Sequence, residues 1–191
     1  MKRQHLIVVV MSLIIFGAYH PAIAGESGKA LFERYCVKCH GEDGSVSEYG
    51  KNIKPNPARD LRTNKLFISP RELPIIIKYG VYGREMKAWK DILNDDEVKD
   101  VAKYVRTLTY TPDLKNGGDL FKLRCAVCHE KEGPNKKLFG APDLDMTPLG
   151  DLEIARTIRF GRHGTMMFPK GSFFSNPEIA DIVAYLMSIK K

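Results

Sequence analysis

Cysteine is scarce in this chain of 191 residues, and every cysteine belongs to the same short motif. The four cysteines form two Cys-x-x-Cys pairs, Cys36 with Cys39 and Cys125 with Cys128, and a histidine follows each pair directly. A disulfide inside so short a loop would stabilise the fold very little, because the stabilisation grows with the length of the closed loop. The pairs therefore need an explanation other than a disulfide scaffold.

A long apolar run of the kind that spans a membrane is also missing. Residues 6–16 are nearly all apolar, which falls short of the ~20 residues that a spanning helix needs. A short basic start precedes this run, and Ala22-Ile23-Ala24 follows it as a small-x-small cleavage signal. This order is typical of a secretory signal peptide. We predict a signal peptide at 1–24 and a bacterial periplasmic protein, either soluble after cleavage or membrane-anchored through residues 6–24.

Dense positive charge is absent as well. Outside residues 1–24, 28 basic and 23 acidic residues leave a net charge of +5, divided as +3 in 25–111 and +2 in 112–191. Such a weak, even excess excludes a nucleic-acid-binding protein and allows mild electrostatic steering of an acidic protein partner. No carboxylate pair or nucleophile–base set stands out, so the sequence predicts no catalytic residue and favours a protein that is not an enzyme.

The chain does contain an internal repeat. At a shift of 89 residues GKALFERYCVKCH lies over GGDLFKLRCAVCH, and at a shift of 81 ELPIIIKYGVYGREM lies over EIARTIRFGRHGTMM. One change of register, in the loop after each Cys-x-x-Cys-His, accounts for the difference. We predict two tandem domains, residues 25–111 and 112–191.

Apolar residues in each repeat recur at helical spacing, which predicts an all-α fold. The last helix of each repeat shows this most clearly, with Val98, Val101, Ala102, Val105 and Leu108 in the first and Ile179, Ile182, Val183, Leu186 and Ile189 in the second. Each repeat is small and has few other apolar side chains. Because small domains bury little surface, a large apolar cofactor would add the core that they lack.

The Cys-x-x-Cys-His pattern has three known chemistries: a zinc site, a redox-active pair and covalent haem attachment. Zinc would need four ligands, whereas each repeat offers two cysteines and one histidine. A thioredoxin-like pair would need a surrounding βαβ pattern, which is missing here. We therefore predict two covalently bound haem c groups. The attachment residues are Cys36, Cys39, Cys125 and Cys128, and the proximal iron ligands are His40 and His129.

The sixth iron ligand of an electron carrier is usually methionine or histidine. After residue 24, Met86 is the only methionine of the first repeat, which predicts Met86 as the ligand. The second repeat is richer in candidates. Met167 matches Met86 in the repeat, and Met166 remains the alternative, whereas Met146 and Met187 fit packing roles and His163 fits a solvent-facing loop.

With both motifs and both methionines in place, the chain resembles a two-domain di-haem cytochrome c with tandem class I domains. The resemblance covers residues 26–190 and implies two domains, each of a few short helices wrapped around a covalently bound haem. It also implies that the first and last helix of each domain cross closely. The residues expected at these crossings are Gly28, Phe32 and Tyr104 in the first domain and Gly117, Phe121 and Tyr185 in the second.

The family further implies a proline whose carbonyl group orients the proximal histidine. Pro57 is the expected residue in the first domain, with Pro55 as the rival, and Pro142 is expected in the second. The methionine ligand of the family is usually followed directly by proline. Here Lys87 follows Met86, and the only nearby proline of the second domain is displaced by one position from Met167.

By resemblance, Lys38, Lys87 and Lys90 lie around the exposed edge of the first haem and dock acidic redox partners. Two of these positions are apolar in the second repeat, where Val127 and Phe168 replace Lys38 and Lys87. We therefore expect one basic and one apolar haem edge, with the apolar edge facing the sister domain or a permanent partner.

The function implied is an exported one-electron carrier between redox proteins. A second hypothesis is the electron-transfer subunit of a membrane or periplasmic oxidoreductase complex. A third, weaker hypothesis is a di-haem redox enzyme, such as a peroxidase or a sulfur-compound oxidase, which would need one open iron site.

Overall fold

The computed structural model describes residues 26–191, and every regular element in that range is helical. The predicted signal peptide, 1–24, lies outside the described residues. The helices are α1 (Gly28–Tyr35), α2 (Val37–His40), α3 (Glu48–Asn52), α4 (Asn64–Phe67), α5 (Glu72–Tyr79), α6 (Asp95–Thr107), α7 (Leu114–Arg124), α8 (Ala126–His129), α9 (Lys136–Phe139), α10 (Asp151–Phe160) and α11 (Asn176–Ser188), with short 3-10 helices at Leu61–Thr63 and Leu144–Met146. The predicted all-α fold is confirmed.

The first and last helix of each repeat cross backbone to backbone, as the resemblance implied. A Cβ atom added to Gly28 in α1 would lie 2.0 Å from the carbonyl oxygen of Asp100 in α6. The same construction on Gly117 in α7 gives 2.1 Å to the carbonyl oxygen of Asp181 in α11. Because real Cβ contacts are never so short, only glycine permits these two crossings.

An aromatic pair fills each crossing beside the glycine. The ring centroids of Phe32 and Tyr104 lie 5.2 Å apart, and those of Phe121 and Tyr185 lie 5.5 Å apart. Both pairs are tilted, within the distance range at which aromatic rings attract each other beyond simple burial. The predicted crossing residues of both repeats are thus confirmed.

The long helices begin at strong N-caps. The Asn94 side chain accepts hydrogen bonds from the backbone of α6, and the Asn94 N–H group donates to the Glu97 carboxylate, which completes a capping box. Ser175 and Glu178 form the same arrangement at the start of α11. These caps fix where the core-facing stripes of α6 and α11 begin.

Each repeat has its own hydrophobic core, and the two cores meet at α4. The first core is built from α1, α5 and α6, and the second from α7, α10 and α11. Leu66 and Phe67 belong to α4 in the first repeat, yet they pack against the second core. The two repeats therefore share an apolar seam between α4 and α10. The exact domain boundary at residues 111 and 112 stays a prediction.

A buried carboxylate ties the linker to the second repeat. Asp181 is only 2% exposed. One of its oxygens accepts a hydrogen bond from the Asp113 N–H group at 2.8 Å, and the other accepts one from the Asn116 side-chain amide, also at 2.8 Å. Asp181 thus holds the start of α7, and with it the second haem-attachment motif, against α11.

Replacing Asp181 with alanine is expected to destabilise the haem-loaded protein by about 1–3 kcal/mol, because it removes the acceptor of two partly buried hydrogen bonds. Urea denaturation of the holoprotein measures this change. Asp119→Ala is the matched control, since Asp119 lies on α7 in an exposed ion pair with Lys115 and is worth less than about 1 kcal/mol. Equal losses for the two variants would show that Asp181 does not hold the linker.

Within residues 26–191, no helix has both the length and the apolar character needed to cross a membrane.

Candidate haem sites

Each attachment motif forms one tight helical turn. The N–H groups of Cys39 and His40 both donate to the carbonyl oxygen of Cys36, at 3.1 and 3.0 Å. The second motif repeats this geometry, with Cys128 and His129 donating to Cys125 at 3.1 and 2.9 Å. All four thiols are free of disulfide bonds. Each motif therefore presents two thiols and an imidazole from a single rigid turn.

Helices α1, α5 and α6 enclose a cavity of about 290 Å³ in the first repeat. All four residues predicted to hold the first haem line it: Cys36, Cys39, His40 and Met86. Its walls are mostly apolar and include Phe32, Leu73, Ile77, Trp89, Leu93 and Val101. Two thiols, an imidazole and a thioether around an apolar cavity are the donor set that fits a haem c.

Burial shifts the pKa of one thiol in each motif, and that of His40, towards the neutral form of the group. Desolvation raises the pKa of the Cys36 and Cys125 thiols to about 11, and the neighbouring cysteine adds to the shift in each case. Burial also lowers the pKa of His40, opposed by its hydrogen bond to a backbone carbonyl and by the charge of Asp60. A thiol with a raised pKa is a poor redox nucleophile, whereas a neutral imidazole is the form that binds iron.

Both motif histidines are held by a backbone carbonyl group. Nδ1 of His129 lies 3.2 Å from the carbonyl oxygen of Pro142, as predicted. Nδ1 of His40 lies 3.0 Å from the carbonyl oxygen of Arg59, so the prediction of Pro57 or Pro55 was wrong. Such hydrogen bonds fix the ring orientation and leave Nε2 free for a metal.

The prediction failed because the orienting group is a backbone carbonyl, and a residue other than proline can supply it. The segments ARDL and APDL occupy the same place, with Asp60 and Asp143 as the N-caps of the two 3-10 helices. Arg59 is thus the equivalent of Pro142. The shared Ala-x-Asp-Leu pattern was the signal that could have identified Arg59 from the sequence.

The two methionine loops have the same backbone geometry. The Val81 N–H group donates to the Met86 carbonyl oxygen at 2.9 Å, and the Arg162 N–H group donates to that of Met167 at 2.8 Å. Gly80 caps the end of helix α5 with a φ of +71°, and a Cβ atom there would lie 2.4 Å from the same Met86 oxygen. The chain can therefore turn back at this position only with glycine. The shared backbone hydrogen bond makes Met167 the structural equivalent of Met86.

The competing residues of the second loop are more exposed. Met166 is 52% exposed, and His163 is also exposed, whereas Met167 is half-buried. Met167 is thus more buried than Met166, which agrees with the preference for Met167 that the internal repeat predicted. The identity of the sixth ligand remains a proposal, which is taken up below.

The surfaces beside the two motifs differ as expected. Lys38 lies over the ring of Tyr49 at 4.5 Å, Lys90 pairs with Asp91 at 2.9 Å, and Lys87 is exposed. The equivalent positions of the second repeat expose apolar side chains, with Val127 43% and Phe168 55% exposed. The exposed side chains at these matched positions are therefore basic in the first repeat and apolar in the second.

The sequence matches the family model of "cytochrome c oxidase, cbb3-type, subunit III" over residues 24–105 and 112–186. The two matched stretches correspond to the two repeats. Each contains one attachment motif, one methionine loop and one pair of crossing helices. The match therefore covers both candidate haem sites.

Curated relatives have the same character. The chain is 25% identical to the cbb3-type cytochrome c oxidase subunit FixP of Sinorhizobium medicae, covering 87% of this chain and 61% of the relative. It is 30% identical to FixP of Azorhizobium caulinodans, covering 76% and 53%. The cytochrome c subunit of the cytochrome bc1 complex of Mycobacterium leprae is 25% identical, covering 85% and 61%. The chain thus spans 53–61% of the length of these relatives.

Proposed function

Because this chain belongs to the cytochrome c oxidase cbb3-type subunit III family, we propose that it transfers single electrons between redox proteins. It is a c-type cytochrome of two tandem repeats, and its cofactor is covalently bound haem c. The haem supplies an iron that changes oxidation state without exchanging ligands. The polypeptide attaches the haem, orients its ligands and excludes water from it.

The proposed ligand set is the same in both repeats. Cys36 and Cys39 attach the first haem, with His40 and Met86 as its axial ligands. Cys125 and Cys128 attach the second haem, with His129 and Met167 as its axial ligands and Met166 as the alternative to Met167.

One observation carries this proposal: the first cavity brings both thiols, the imidazole and the thioether to a single apolar site. Methionine and histidine together raise the potential of a haem iron and fill its coordination sphere. A filled sphere suits an electron carrier and leaves no position for peroxide or a sulfur compound. The electron-transfer role is therefore favoured over the di-haem enzyme.

We propose export to the bacterial periplasm from the signal-like order of residues 1–24. In that compartment the basic edge, formed by Lys38, Lys87 and Lys90, would receive an acidic redox partner. Charge complementarity of this kind raises the association rate more than the affinity.

A second role is favoured by the apolar edge around the second motif, which is that of an electron-transfer subunit in a larger complex. Five large apolar side chains of the second repeat are exposed: Val127, Phe160, Met166, Phe168 and Phe173. Extensive exposed apolar surface is typical of a lasting protein contact. Cross-linking followed by capture from solubilised membranes distinguishes the subunit from the free carrier.

An optical redox titration of the exported protein tests the proposed function. We expect two reversible one-electron steps, low-spin spectra in both oxidation states and no binding of carbon monoxide to the reduced protein. Rapid carbon monoxide binding at one haem would reveal an open iron site. That result would contradict the carrier and direct the work towards peroxide or sulfur chemistry.

A further inference from the structure

Three arginine side chains converge at the seam between the two repeats. Arg59 and Arg84 line the cavity of the first repeat. Arg159 comes from α10 of the second repeat, and its Cζ atom lies 4.6 Å from the ring centroid of Phe67, which lines the same cavity. A cation of one repeat thus reaches the wall of the other repeat's candidate haem site.

These charges have no acidic partner in the part of the chain that the structure describes. No carboxylate within residues 26–191 forms an ion pair with any of the three guanidinium groups. Burial, together with the charges of Arg59 and Arg84, lowers the pKa of Arg159 to about 10. Arg159 is half-buried, whereas Arg59 and Arg84 are exposed. Gathering like charges around a half-buried cation is unfavourable unless an anion compensates them.

Comparison of the two repeats explains why Arg159 has no ion pair with an acid of its own repeat. Its equivalent in the first repeat is Lys78, whose Nζ atom lies 2.6 Å from a carboxylate oxygen of Asp95. The equivalent of Asp95 in the second repeat is Asn176, which cannot neutralise Arg159. Asn176 also lines the first cavity. The acid that would hold Arg159 within its own repeat is therefore replaced by a neutral residue at the seam.

The second repeat has no counterpart of this cluster. Pro142 stands in place of Arg59, and Thr165 stands in place of Arg84. The cluster therefore belongs to the first haem site alone. It lies at the wall of the first cavity that Phe67 and the second repeat share.

We propose that Arg159 of the second repeat completes, together with Arg59 and Arg84, the binding site for the propionate groups of the first haem. Haem carries two carboxylates, and guanidinium groups bind carboxylates through paired, charge-assisted hydrogen bonds. This inference rests on the proposed function, because it requires a haem in the first cavity. It makes the second repeat part of the first haem site.

The cluster also affects the redox equilibrium of the first haem. Reduction lowers the positive charge of the iron centre by one unit, so nearby cations stabilise the reduced form. Packing of the second repeat against the first therefore raises the reduction potential of the first haem. The reduction potential of the second haem is expected not to depend on the cluster.

Redox titration of Arg159→Gln in the haem-loaded protein tests the inference. We expect the redox equilibrium constant of the first haem to fall about tenfold, which is about 59 mV for one electron, with the second haem unchanged. Arg156→Gln is the matched control, since it removes the same charge from an exposed position of the same helix and should shift neither haem. Arg159→Lys keeps the charge and should recover most of the potential.

Several outcomes would overturn the inference. These are an unchanged first haem, a shift confined to the second haem, or equal shifts for Arg159→Gln and Arg156→Gln. Variants of Met86 and Met167 assign each titration step to its haem. If Arg159→Gln fails to fold, Arg84→Gln provides the same test from an exposed loop position, and an unchanged first haem again overturns the inference.

Haem content separates this failure from failure of the proposed function. Two haems per chain with unaltered potentials in Arg159→Gln would overturn the propionate site and leave the electron carrier intact. An unmodified protein that carries no haem in the first repeat would overturn both.

Discussion

Replacing Met86 with alanine is expected to turn the first haem from a low-spin, six-coordinate centre into one with an open or water-bound sixth position. The protein should lose half of the weak long-wavelength absorption that arises from sulfur bound to ferric iron. The reduced variant should bind carbon monoxide at one haem. The potential of that haem should fall by on the order of 0.1 V, within the roughly 0.8 V over which axial ligands set haem potentials.

The second repeat supplies the matched test. Met167→Ala should produce the same changes at the other haem, because the Met167 loop has the same backbone hydrogen bond and the same preceding glycine as the Met86 loop. Met166→Ala should leave both spectra unchanged, since Met166 is more exposed than its neighbour. Loss of the sulfur band in Met166→Ala, with Met167→Ala unaffected, would assign the second ligand to Met166.

The second large effect is expected at the helix crossing. Gly117→Ala should destabilise the holoprotein by about 3 kcal/mol, because its Cβ atom would lie 2.1 Å from the carbonyl oxygen of Asp181. The sign is informative, since alanine in place of glycine within a helix otherwise stabilises by roughly 0.5–1 kcal/mol. Denaturant unfolding monitored by helix content measures the difference, and Gly28→Ala should repeat it in the first repeat.

The adjacent residue is the control. A Cβ atom on Gly118 would lie 3.2 Å from the ring of Tyr185, a side chain that can move by a few tenths of an ångström. Gly118→Ala should therefore cost less than about 1 kcal/mol. A loss at Gly117 as small as that at Gly118 would mean that the helices separate readily, and that the close crossing does not specify the fold.

Much of the fold was predictable because the same sequence pattern occurs in both repeats. The stripes of α6 and α11, the crossing glycines and the paired Met86 and Met167 all occur at matched positions. A feature that recurs at matched positions in both copies is supported twice by the sequence. Local patterns of this kind determine the helices and the packing within each repeat.

Two features could not be predicted from the identity of the side chains: the carbonyl group at His40 and the packing of the two repeats. The carbonyl group that orients His40 belongs to Arg59, and any residue can supply a carbonyl group. The search for a proline therefore failed in the first repeat, although Pro142 was right in the second. The arrangement of the two repeats around the seam was hidden as well, because an internal repeat describes each unit and not how one packs on the other.

The most direct test of the account is to count covalently bound haem in the exported protein. Intact mass spectrometry of the unfolded chain, together with a pyridine haemochrome assay, should give two haem c groups per polypeptide. A double variant, Cys36→Ser with Cys39→Ser, should retain one. A single haem in the unmodified protein, or a mass without any haem, would contradict a two-haem electron carrier.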